Sequence, residues 1–234
     1  MKRFSQFDDL ADLQQAITAL EDLIRSTQAS DERYCTGLAK LGLALSYRFD
    51  HSGELSDLEK AILTSKDAVD LIPDGHPDKP SSLSNLGNCL ADRFERFGDL
   101  NDLEEAISTL KVVVDLTPHT HSDKPDHLNN LANSLLARFE RLGELSDIDG
   151  AISMLRDAVK LTPHGRPDDP ALLGSLGTSL YLRFMRLGQL SDLEEAIPLQ
   201  KSAVYLILMV TPTSLAFSTI LANLSKLILS DSGS

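Results

Sequence analysis

The sequence predicts an all-α fold, a solenoid of stacked helix hairpins, and three observations predict it. One spacing, 45 residues, separates Pro73, Pro118 and Pro163; Gly53, Gly98, Gly143 and Gly188; and Arg48, Arg93, Arg138 and Arg183. A fixed period of this length without insertions marks an array in which each unit packs only on its neighbours. Within a unit, apolar residues recur three or four apart, in Leu83, Leu86, Leu90, Phe94 and Phe97 and again in Leu103, Ile107, Leu110 and Val114, the spacing of one helical face. Helix starts and stops fall at corresponding places in successive units.

Each unit holds two helices. The first opens at Pro80, where a missing N–H costs nothing because the first turn has no intrahelical acceptor for it. It closes at Gly98, the residue best able to take the left-handed cap conformation. The second opens at Asn101-x-x-Glu104, a capping-box pattern repeated by Ser56 with Glu59 and Ser191 with Glu194, and by Asp149 after Ser146. Pro118 ends it.

In chain order this predicts a half unit, one second-type helix, at residues 8–27. Units follow at 32–72, 80–117, 125–162 and 170–209, with a terminal helix at 213–229. The linkers PDGHPDKP, PHTHSDKP and PHGRPDDP are proline-bounded turns. The last unit departs from the pattern, with Pro198 inside its second helix and Leu206-Ile207-Leu208 where earlier units read Leu-Thr-Pro. Leu221-Ala222-Asn223 nevertheless keeps the register of Leu131-Ala132-Asn133, so residues 1–234 count as one array with an atypical end.

Composition narrows the function. The chain of 234 residues carries 22 basic and 35 acidic residues, a formal net charge of -13. Nucleic acids and anionic membranes need a positive field, so neither is an expected partner. The two cysteines, Cys35 and Cys89, occupy non-equivalent positions in the repeat and form no CxxC motif, which points to a reducing, cytoplasmic setting. No apolar run approaches the roughly 20 residues of a membrane helix, and the first residues lack the apolar core of a signal peptide.

Ala106-x-x-x-Leu110-x-x-Val113-x-x-x-x-Pro118, with Ala61, Ala68 and Pro73 or Ala151, Ala158 and Pro163, resembles the second-helix pattern of tetratricopeptide repeats, and Leu86-Gly87-x-x-Leu90 resembles the first. The unit is longer than the family's usual 34 residues, with about one extra turn before Gly98. The long form, with its RFERxGxLxDLExAI and GHPDKP-like stretches, is similar to arrays in fungal multidomain proteins that carry a caspase-like CHAT or nucleotide-binding domain. The resemblance implies a right-handed superhelical solenoid whose first helices line a concave surface. It further implies a non-enzymatic scaffold for a protein or extended peptide.

Motifs for catalysis are missing: there is no GxxxxGK[ST], HExxH, GxSxG or GxGxxG. Neither a catalytic residue nor a cofactor is expected. The nearest approach to a metal site is His119-x-His121 with His127, and equivalent loops hold only His76 or His164, so surface histidines are the simpler reading. Arg93, Arg138 and Arg183 form a candidate row either for an anionic ligand or for ion pairs with neighbours such as Glu104 and Glu105. Phe49, Phe94, Phe139 and Phe184 read as core.

The candidate groove residues are Asn85, Asn88, Asn129, Asn130 and Asn133, polar amides on first helices, where asparagine is a mediocre helix former. The resemblance implies that such asparagines hydrogen-bond a peptide backbone. The lysines of the clamp that binds chaperone tails are missing at the matching positions, Ser84, Asn129 and Gly174, which disfavours that ligand. With the net charge at -13, the expected partner is neutral or basic. The alternative is a regulatory or structural segment that packs on an effector domain or self-associates through the apolar residues Phe217, Ile220, Leu224 and Ile228 of its C-terminal end.

Overall fold

The computed structural model describes residues 10–162 and 169–210. Those residues form helices α1 (Leu10–Ser26), α2 (Glu32–Ser52), α3 (Leu55–Leu71), α4 (Lys79–Phe97), α5 (Leu100–Leu116), α6 (Lys124–Leu142), α7 (Leu145–Leu161), α8 (Asp169–Leu187) and α9 (Leu190–Val210). No strand occurs among the described residues. The even-numbered helices are the first (A) helices of their units and the odd-numbered ones the second (B). The helix expected at 213–229, with the apolar face formed by Phe217, Ile220, Leu224 and Ile228, lies outside the described residues.

Each A helix packs on the B helix of its own unit and on the B helix before it. Successive A helices also touch one another, in the pairs α2 with α4, α4 with α6 and α6 with α8. Among the described residues, successive B helices make no contact of that extent. The stack is therefore tighter on its A side, which makes the A helices the inner layer of a curved array.

The core is made of clusters that each span several helices. Leu103, Ile107 and Leu110 of α5 share one cluster with Leu131 and Leu135 of α6, Ile148 and Ile152 of α7, and Leu176 and Leu180 of α8. Burying each such side chain stabilises by about 1.5–3 kcal/mol, so units hold one another folded. The hairpins cross closely. A Cβ added at Gly87 would sit 2.7 Å from Leu110 Cγ, so the first helix carries a small residue where the second presents a leucine. At the corresponding position of the next unit stands Ala132, fully buried.

The A helices end as their glycines require. Gly98 has φ 72, and its N–H donates to the Phe94 carbonyl oxygen at 2.7 Å. Gly53 and Gly143 do the same with φ 69 and 77. The B-helix starts differ from the capping boxes expected at Asn101, Ser56 and Ser146. α5 begins at Leu100, and Asp99 is its cap, accepting from the Asn101 N–H. In α3 and α7 the cap positions are Glu54 and Glu144, without a side-chain cap bond. Asn101, Ser56 and Ser146 thus lie inside the first turn. Two aromatic expectations also shift: Phe49 and Phe139 are buried, while Phe94 and Phe184 are half-buried and Phe97 is exposed.

Candidate functional site

Arg93 stands near the end of α4 and faces the first turn of α5. Its Nε donates to Asp102 Oδ2 at 2.8 Å and its Nη2 to Asp102 Oδ1 at 2.5 Å, a two-pronged pair. Its Nη1 donates to Glu59 Oε2 of the preceding unit at 3.2 Å. The same arrangement recurs: Arg48 with Asp57 and Gln14, Arg138 with Asp147 and Glu104, Arg183 with Asp192 and Asp149. The hydrogen bonds to the buried aspartates push each guanidinium pKa upward. These carboxylates also sit in the first turn of a B helix, where the helix dipole favours negative charge. Each arginine therefore joins the two helices of its unit and reaches the unit before it.

The asparagines separate into two groups. A cavity of about 200 Å³ between α4 and α6 is lined by Asn88, Asn130 and Asn133, with Asp92, Glu95 and Ser134. It lies on the inner side, where A helices converge. Asn88 and Asn130 are half-buried and Asn133 is exposed. The Asn130 Nδ2 donates to Ser84 Oγ at 3.5 Å, a long bond. Asn85 and Asn129 do not line this cavity, and the buried Oδ1 of Asn129 accepts no hydrogen bond. Asn133 also borders a second cavity, of about 310 Å³, with Gly174, Thr178 and Gln200. There Gln200 donates to the Gly174 carbonyl and to Thr178 Oγ1, each at 3.1 Å.

Facing the cavity, three primary amides present both donors and acceptors, and two carboxylates supply negative charge. Such a surface suits a peptide backbone, which alternates C=O and N–H, or a polar side chain with positive charge.

The linkers hold polar residues that no catalytic or metal motif marks. Lys124 is buried, and its Nζ donates to the Val114 carbonyl at 2.6 Å and the Thr117 carbonyl at 2.8 Å. Lys79 does the same to Val69 and Ile72, both at 2.7 Å. Each ammonium thereby satisfies orphan carbonyls at the end of the preceding B helix, where the dipole is negative. The signal was the Asp-Lys-Pro repeated at 78–80 and 123–125. His127 is buried and its Nδ1 has no hydrogen-bond partner; burial lowers its pKa. With His76 and His121 it lines a cavity of about 260 Å³ between the two linkers. Among the described residues no group of three or more His, Cys, Asp or Glu side chains is arranged to hold a metal, and no helix is long and apolar enough to cross a membrane.

No protein-family model matches the chain, and no curated protein matches it. Solved structures do. A point variant of a Podosopora anserina putative kinesin light chain with nearly identical TPR-like repeats aligns over 91% of this chain and 93% of its own, at 15% identity and a TM-score of 0.62. The fold is that of a tetratricopeptide-like array. MamA aligns over 84% of this chain and 89% of its own, at 17% identity and a TM-score of 0.54. YrrB, described as a TPR protein with an unusual peptide-binding site, aligns over 82% of this chain and 80% of its own, at 14% identity and a TM-score of 0.53. At these identities the likeness is one of fold alone.

Proposed function

We propose that residues 1–234 act as one non-enzymatic array that holds an extended peptide along its inner surface. Asn88, Asn130 and Asn133 would bond the peptide backbone between α4 and α6, and Asp92 and Glu95 would select neutral or basic sequences. The observation that carries this reading is the cavity in which those three amides converge on the concave side. YrrB, with the same fold, is described as having a peptide-binding site, and this supports a peptide as the ligand class. The arginine row is assigned a structural role, because the Nε, Nη1 and Nη2 of Arg93, Arg138 and Arg183 already donate within the array.

The test begins by selecting binders from a random peptide display library and measuring them by calorimetry. Each net hydrogen bond contributes about 0.5–1.5 kcal/mol, so Asn88→Ala with Asn133→Ala should weaken binding by about one to two orders of magnitude. Association should also slow as salt rises, since the chain carries a net charge of -13. Undiminished affinity in a double variant that keeps its helical spectrum would move the ligand off this surface.

A further inference from the structure

The asparagine cavity between α4 and α6 has a lining that the repeat does not reproduce. Its walls include Ala91 of α4 and Ala137 of α6. At the same places 45 residues further on stand Leu136 and Leu182, the first part of the core cluster around α7 and the second packed against it. The next groove thus carries two isobutyl groups where this one carries two methyls. Asp92 is the second departure. The residues at its position in the units at 32–72, 125–162 and 170–209 are Tyr47, Ala137 and Leu182, so among these units one alone places a carboxylate there. Asp92 is half-buried, its Oδ2 is shielded from solvent, and it lines the cavity. Fully buried Leu103 and half-buried Phe94 add to the apolar lining, and Glu95 lies at the exposed margin.

We propose that this cavity is a pocket for one basic side chain, lysine or arginine, of the peptide held along the inner surface, and that Asp92 selects it. The inference rests on the groove reading above and adds a required residue to the ligand. A basic side chain is an apolar stem that ends in a cation, which matches a sleeve of Ala91, Phe94, Leu103 and Ala137 that contains a carboxylate. The size agrees. A volume of about 200 Å³ is that of about seven waters at roughly 30 Å³ each, enough for the whole of either side chain. An apolar side chain in the same place would strip water from the carboxylate and return no cation, a cost that burial of its own methylenes does not offset. An acidic side chain would add repulsion.

The probe is the tightest peptide from the display selection described above, which should carry lysine or arginine at one fixed position. Norleucine in place of that lysine, or citrulline in place of that arginine, keeps the stem and removes the charge. In calorimetry the exchange should weaken binding about tenfold or more. Asp92→Asn should weaken the basic peptide to the same extent and leave the affinity of the uncharged peptide unchanged, a coupling that a purely structural role for Asp92 does not produce. Ala137→Leu, which installs the residue that the next unit has at this place, should fill the pocket and abolish the preference for the charged peptide while the helical spectrum persists. Selected peptides without a common basic position would overturn the proposal. So would undiminished binding of the basic peptide to Asp92→Asn. If that binding were still weakened by Asn88→Ala with Asn133→Ala, the peptide would remain on the inner surface and only the pocket would be rejected.

Discussion

Replacing Arg93 with alanine should destabilise the array more than any exposed-residue substitution. The Asp102 side chain is 8% exposed beneath the guanidinium. Removing one partner of a buried pair costs about 3–5 kcal/mol because the other charge stays desolvated. Asp102 also lies in the first turn of α5, and the helix N-terminus offsets part of that loss, about 0.3–1 kcal/mol. The bond to Glu59, which is 50% exposed, adds at most about 0.5 kcal/mol. The expected cost is therefore about 2–4 kcal/mol. Urea unfolding followed by far-ultraviolet circular dichroism suits a chain without tryptophan, with hydrogen exchange to locate any partial unfolding of the array. A double-mutant cycle with Asp102→Asn should return about 1.5–3 kcal/mol of coupling, and one with Glu59→Gln less than about 0.5 kcal/mol. A cost below about 1 kcal/mol, or equal coupling to both carboxylates, would refute the argument that burial of Asp102 sets the magnitude.

Three further outcomes follow from local chemistry. Lys124→Met should cost about 1–3 kcal/mol in urea unfolding, because the Val114 and Thr117 carbonyls lose their donor at the end of α5. Gly98→Ala should cost about 1–2 kcal/mol purely through the backbone, since φ is 72 and an added Cβ meets nothing within 4 Å. Gly98→Asn should cost clearly less than the alanine, because asparagine tolerates this region. Burial holds the His127 pKa below the ordinary 6.5, so the folded state disfavours the charged ring. That contribution is fully present above the unfolded-state pKa and is lost as pH falls through the lowered folded value. Thermal midpoints should accordingly drop on acidification below about pH 6.5, and His127→Phe should flatten that drop.

Much of the architecture was legible because the signals that set it are local. Gly98 ends α4 at φ 72 for the same reason it could be read as a stop, and the leucine spacing of α5 becomes its buried face. The second-helix starts were misplaced by one or two residues because Asp99 and Asn101 are both good caps, and only tertiary contact distinguishes them. That contact is Arg93 with Asp102, nine residues apart, a spacing visible in each of the four units but assignable only once the helices fold back on each other. The asparagine row split for a similar reason. Helical register puts Asn129 and Asn130 about 100° apart, and the approach of α4 to α6 selects Asn88, Asn130 and Asn133 for one cavity. The lysine clamps were written in Asp78-Lys79-Pro80 and Asp123-Lys124-Pro125, yet a surface linker gave no reason to expect a buried ammonium.

Site-specific photocrosslinking tests the placement of the ligand most directly. A photoreactive phenylalanine analogue at Glu95, beside the asparagine cavity, should capture a selected peptide in high yield. The same analogue at Leu63, which is 62% exposed on the B helix α3, should capture almost none. Preferential capture at Leu63, with Glu95 silent, would contradict peptide binding on the inner surface.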